Sequence, residues 1–113
     1  MSEYLWILPV ALLAFFWWRN RGASTADLQA LRARGAQILD VRTPAEFAGG
    51  HAAGALNIPL EQLGQRLDKL DKARPVICCC ASGARSGMAA SLLKAQGFEA
   101  VNGGPWGRME ALA

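Results

Sequence analysis

The sequence predicts an α/β fold: a small domain with a central parallel sheet flanked by helices, preceded by one N-terminal transmembrane helix. Three observations predict it. Short apolar runs at 37–41, 75–80 and 98–101 alternate with helical patterns, as parallel strands joined by crossover helices do. The second of these runs passes through small residues straight into a helix. Residues 4–18 carry no charge and are followed at once by Arg19 and Arg21.

The chain has 113 residues. Setting aside residues 1–21 as the anchor and its basic flank leaves residues 22–113, about 90 residues, which is enough for one small domain and not for two. The formal charge is +3, and no run of Lys or Arg is long enough to form a nucleic-acid footprint, so a nucleic-acid partner is not expected. The three cysteines are consecutive, Cys78 to Cys80. Staples of a secreted disulfide scaffold are spread along a chain, so free thiols in a reducing compartment are predicted instead.

Counted from Met1 to Trp18 at ~1.5 Å per residue, the apolar segment reaches about 27 Å, the short end of what crosses a bilayer. Trp6 near one end and Trp17 with Trp18 at the other suit the two interfacial belts, and Arg19 and Arg21 suit the cytoplasmic side. This predicts a single-pass protein of the cell membrane with its domain in the cytoplasm. A cleaved signal peptide is the rival reading, against which stand the missing basic n-region and the missing cleavage site. A helix packed on a partner is the third. Pro9 is compatible with a membrane helix.

Within the domain, Ser24 or Thr25 caps a short helix that carries Leu28 and Leu31 and stops at Gly35. Gln37 to Val41 reads as a buried parallel strand leading into Arg42, and chemistry gathers at the C-terminal ends of such strands. Thr43-Pro44-Ala45-Glu46 predicts a cap, a proline at the first helical position and an acid in the first turn. Leu60, Leu63, Leu67 and Leu70, spaced three and four apart among polar residues, predict an amphipathic α-helix packed on the sheet. A second strand at 75–80, a helix from Arg85 to Gln96 ended by Gly97, and a third strand from Phe98 to Val101 complete the domain.

The strand ending at Cys80 runs into Ala81-Ser82-Gly83-Ala84-Arg85-Ser86 and directly into a helix. Loop N–H groups and the helix dipole both favour an anion at this point. A cysteine there is predicted to be a low-pKa, partly exposed thiolate, helped by Arg85. No Asp or Glu lies between Lys72 and Phe98.

Two motifs resemble one family. Asp40-Val41-Arg42, Glu46-Phe47, Gly50-His51, Gly54-Ala55 and Asn57-Ile58-Pro59 are similar to the first signature region of rhodanese domains, and Cys80-x-x-Gly83-x-Arg85-Ser86 is similar to their active-site loop. The likeness extends over about residues 25–109. It implies a sulfurtransferase in which the Cys80 thiolate takes a sulfane sulfur from a small anionic donor such as thiosulfate, holds it as a persulfide, and passes it to cyanide or to a thiol, small or on a protein. Cys80 and Arg85 are then the catalytic pair, with Arg85 binding the donor or supporting the loop. Ala81, Ser82, Gly83, Ala84, Arg85 and Ser86 form the substrate cradle. No metal and no organic cofactor are expected.

Related cysteine-dependent phosphatases and arsenate reductases place five residues between nucleophile and arginine, and rhodaneses four. Cys80 to Arg85 encloses four, Cys79 to Arg85 five. Both families place a glycine three residues after the nucleophile, and Gly83 stands three after Cys80. This resemblance selects Cys80 and sulfur chemistry. A catalytically silent binding module is the remaining alternative.

Plainer roles stand beside these. Cys78 and Cys79 are expected to pack on opposite faces of their strand, with a resolving or relaying role for Cys79 as the alternative. His51 invites a general-base reading, but its place beside Gly50 points to a structural hydrogen bond. Asp40 and Arg42 are expected to brace loops, Glu46 to cap a helix, and the leucines at 60–70 to fill the core. Ala81, Ser82 and Ala84 carry no side chain that distinguishes one donor from another. Val101-Asn102-Gly103-Gly104-Pro105 resembles the family in its Asn and paired glycines, but the stretch after them is short, which predicts a minimal last helix.

Overall fold

The structure, a computed structural model, describes residues 10–13 and 22–112. Of the expected anchor, only Val10 to Leu13 is described, as exposed helix, and the rest lies outside the described residues. Among the described residues no helix is long and apolar enough to cross a membrane.

Four parallel strands form one sheet: β1 (Gln37–Asp40), β2 (Leu56–Asn57), β3 (Val76–Cys80) and β4 (Ala100–Pro105), in the spatial order β2-β1-β3-β4. Among residues 22–112, three α-helices accompany them: α1 (Thr25–Ala33), α2 (Pro44–Ala48) and α3 (Ala84–Ala95). Both short helices start as their sequences require. Ser24 and Asp27 close a capping box at α1, and Thr43 and Glu46 close another at α2, where Pro44 takes the first helical position.

Every residue of β3 is buried, because this central strand is covered on both faces. Its side chains alternate between two cores. Cys78 and Cys80 join Leu39, Val41, Leu63, Ala89 and Leu93 under α3, whereas Ile77 and Cys79 join Leu28, Ile38 and Met109 on the α1 side. The expected alternation of Cys78 and Cys79 is therefore present, and all three thiols are free.

Three elements differ from expectation. Residues 60–70 form no α-helix but two 3₁₀ segments, Leu60–Gln65 and Leu67–Lys69. Leucines three apart stack equally well on a three-residue turn, and Gly64 weakens an α-helix at its centre. Leu63 and Leu70 are still buried, so the stripe fills the core as expected. The last strand lies at Ala100–Pro105 and not at Phe98–Val101, since Gly97, at φ +89°, lets the chain turn and Phe98 closes a hydrogen bond back to Leu93. The two-residue β2 has no counterpart in the expected elements. Beyond β4, Trp106–Leu112 forms a 3₁₀ segment, the minimal last helix.

Candidate active site

Cys80 is the last residue of β3, and α3 begins four residues later. Gly83 occupies the cap position with φ +107°, a left-handed conformation that suits glycine. No side chain caps this helix, so its first turn is open to the Cys80 sulfur and to an anion beside it. One of the loop donors reaches the sulfur: the Gly83 N–H donates to Cys80 Sγ at 3.0 Å, and the Ser86 hydroxyl lies 3.4 Å from the same atom.

These contacts decide the ionisation of Cys80. Burial pushes its thiol up, but the Ser86 hydroxyl and the N–H groups of Ser86, Gly83 and Ser82 outweigh burial and leave the pKa below the usual 9.0. Its neighbours go the other way. Burial, with the charge of Cys79 second, pushes Cys78 up to about 12, and burial with nearby Asp40 pushes Cys79 up to about 12. Three adjacent thiols of identical chemistry are thus separated by their surroundings, and only Cys80 is shifted towards the thiolate.

The sulfur is not partly exposed, contrary to expectation. Cys80 is 0% exposed, although Ala81 and Ser82, next along the chain, are exposed. The small loop residues close over it because nothing bulkier than serine stands between Cys80 and Arg85. Ala84 is exposed and Gly83 half-buried, while Ser86 is fully buried on the sulfur side.

Arg85 lies on the first turn of α3, and its two terminal nitrogens reach Glu46 Oε1 at 2.7 Å and Oε2 at 3.0 Å. Glu46 was expected to cap α2 and nothing more. It does cap that helix, accepting from Thr43 N–H at 3.1 Å, but it also holds Arg85. The hydrogen bonds from Arg85, then that from the Thr43 backbone, pull the Glu46 carboxyl down to about 2.

Below this pair, Asp40 and Arg42 form a buried ion pair at 2.7 Å. Arg42 also donates to the carbonyls of Glu46 and Gly50 and stacks over Trp106 at 4.7 Å. Asn57 donates to the carbonyls of Asp40 and Arg42, both at 3.0 Å. The strand-end loops are therefore braced from beneath, the role expected of Asp40 and Arg42. His51 bonds to the Phe47 carbonyl at 2.9 Å through Nδ1 and stacks on the Phe47 ring. That is the hydrogen bond expected of a structural histidine.

Known proteins agree with this geometry. The family described as the rhodanese-like domain matches residues 24–104. This chain belongs to the rhodanese family. An uncharacterized protein of Bacillus subtilis, YqhL, is 41% identical over 90 residues, covering 78% of this chain and 71% of that one. The thiosulfate sulfurtransferase GlpE of Ectopseudomonas mendocina is 36% identical over 78 residues, or 69% of this chain and 72% of its own. Among solved structures, a rhodanese-related protein from Thermoplasma volcanium superposes with a TM-score of 0.67 at 31% identity, covering 80% of this chain and 92% of that chain.

One residue that the sequence resemblance included, but to which it gave no role, takes part as well. Asn102, on β4, accepts from the Ser86 hydroxyl at 2.7 Å and donates to the Gly83 carbonyl at 3.0 Å. Its place before paired glycines was the only local signal.

Proposed function

We propose that this chain moves a sulfane sulfur from a small sulfur-containing anion, such as thiosulfate, to a thiol or cyanide acceptor through a persulfide on Cys80. The chain is a rhodanese-type sulfurtransferase, a conclusion supported by the family match and by thiosulfate sulfurtransferases 36% identical to it. The observation that carries the role of Cys80 is the Gly83 N–H aimed at its sulfur at 3.0 Å, beside two thiols left with no such donor.

The Cys80 thiolate attacks the outer sulfur of thiosulfate. The S–S bond to the sulfonate sulfur breaks, and sulfite leaves with the electron pair. The outer sulfur now carries the negative charge, as Cys80-S-S⁻, at the end of a loop whose N–H groups and helix dipole stabilise an anion. An acceptor thiolate or cyanide then attacks that sulfur and returns Cys80 to its thiolate form.

The four-residue spacing to Arg85 favours a sulfur over a phosphate group, because the larger anion needs the roomier loop. The retained Cys80, Gly83 and Arg85 favour an enzyme over a silent binding module. Residues 1–21 are proposed to anchor the domain at the cytoplasmic face of the cell membrane. The uncharged run, its flanking tryptophans, Arg19 and Arg21 support this placement.

Thiocyanate production from thiosulfate and cyanide tests the reaction. Cys80→Ser abolishes it and Cys79→Ser retains most of it. The reverse result would return the five-residue spacing, and phosphatase-like chemistry, to consideration.

A further inference from the structure

Cys78 pairs with Asn102 across the β3–β4 ladder, but the next pair is Cys79 with Gly104, so Gly103 is the extra residue of a bulge. A side chain at Gly103 would stand 2.7 Å from the Ile77 methyl and 3.0 Å from the Cys78 carbonyl. Bulges re-aim the side chains beside them. Here the side chain is that of Asn102, which enters the space between the loop and α3. Gly87 makes room for it, since a Cβ there would lie 3.1 Å from Asn102 Nδ2.

The direction of this amide is set by two main-chain groups with opposite needs. The Gly104 N–H requires an acceptor and finds Oδ1 at 2.9 Å, whereas the Gly83 carbonyl requires a donor and finds Nδ2 at 3.0 Å. Reversing the amide would lose both. Oδ1 therefore faces Ser86, and at 2.7 Å it takes the hydroxyl hydrogen.

A hydroxyl has one hydrogen. With that hydrogen on Asn102, Ser86 can only accept from Cys80, so the arrangement S–H to Oγ–H to Oδ1 belongs to the thiol. When the sulfur is an anion, the same hydrogen turns the 3.4 Å to Cys80 Sγ. Asn102 Oδ1 keeps the Gly104 N–H and is not left unpaired. The Gly83 peptide is likewise gripped at both ends, its N–H on the sulfur and its carbonyl on Asn102.

We propose that Asn102 is a positioning residue for sulfur transfer: it aims the Gly83 N–H at Cys80 and gives the Ser86 hydrogen a second place to rest, so that the cradle fits the sulfur both as thiol and as anion. This rests on the reading of Cys80 as the sulfur carrier. Asn102 touches neither the sulfur nor the donor, and acts through Gly83 and Ser86.

The test follows the ionisation of Cys80 apart from catalysis. In the full-length wild-type chain, the Asn102 side-chain amide resonances shift with pH at the same midpoint as Cys80 alkylation, and stay flat in Cys80→Ser. Asn102→Asp keeps an acceptor for Ser86 and Gly104 but loses the donor to Gly83 and adds a negative charge. It raises the alkylation midpoint by about one unit or more, a tenfold loss of thiolate below the midpoint, with activity recovering at higher pH. A flat amide titration in the wild type overturns the proposal, and needs no variant to fold. So does an Asn102→Asp protein whose melting temperature falls while its midpoint stays put, since that is the mark of a structural role alone. Sulfur transfer by Cys80→Ser would instead overturn the carrier reading and leave the titration result standing.

Discussion

Both terminal nitrogens of Arg85 are taken by the two carboxylate oxygens of Glu46, at 2.7 and 3.0 Å, across 39 residues of sequence. The first turn of α3 is thereby tied to the first turn of α2, and the cation beside the sulfur loop is balanced by an acid that also caps a helix. A two-pronged arginine–carboxylate contact fixes orientation as well as charge. Arg85 so held supports the loop, and its charge reaches an incoming anion already reduced.

The depressed Glu46 carboxyl gives this contact a pH signature. A carboxyl held at about 2 in the folded protein, against 4.5, adds stability that is fully present above pH 4.5 and lost as pH falls through about 2. The pair is about one-third exposed, so the gain is modest. The melting temperature of the wild type should exceed that of Glu46→Gln above pH 4.5, and the two should converge towards pH 2. A gap that stays constant over this range would assign the difference to packing.

Arg85→Ala should weaken turnover more than it weakens the fold. Removing the cation raises the Cys80 alkylation midpoint by up to about one unit and raises KM for thiosulfate. Unchanged alkylation and unchanged kinetics together would remove Arg85 from the mechanism.

How much of this site could be read from the sequence depended on contiguity. Cys80, Gly83, Arg85 and Ser86 lie within one strand, loop and helix, and their spacing identified the cradle. Glu46 and Asn102 reach it from 39 and 16 residues away, so the sequence could show their presence but not their contacts. Leu60 to Leu70 were misread because a three-, four-, three-residue spacing suits α and 3₁₀ geometry alike, and the choice falls to Gly64 and to packing. The third strand was expected to end at Val101, yet Asn102-Gly103-Gly104-Pro105 extends it through a bulge that only the pairing with Cys78 and Cys79 reveals. The burial of Cys80 was invisible for a different reason: small loop residues can either expose a sulfur or close over it.

Asp40→Ala should be among the most destabilising single changes. It strands the Arg42 guanidinium, only 4% exposed, without its carboxylate, and breaking a buried pair in this way costs about 3–5 kcal/mol. Urea unfolding measures the loss. A change under about 1 kcal/mol, the range of surface pairs, would mean that Arg42 finds compensation from the Gly50 carbonyl and Trp106.

Topology is tested with a reporter that water can reach. The three native cysteines are buried, so a Ser91→Cys label on the exposed side of α3 serves better. In intact cells a membrane-impermeant maleimide should leave it unlabelled, and opening the cells should label it. The full chain should resist extraction by high salt, while deletion of residues 1–21 should release a soluble, active domain. Labelling from outside would reverse the orientation, and release of the intact chain by salt would remove the anchor.

Intact-mass measurement after incubation with thiosulfate tests the central claim most directly, because it sees the carried sulfur itself. One added sulfur, ~32 Da on the thiolate, should appear on the wild type and be removed by a thiol acceptor or cyanide. Cys79→Ser should gain the same mass, and Cys80→Ser should gain none. A sulfur adduct on Cys80→Ser, or an unmodified wild type that still turns over thiosulfate, would contradict a persulfide on Cys80.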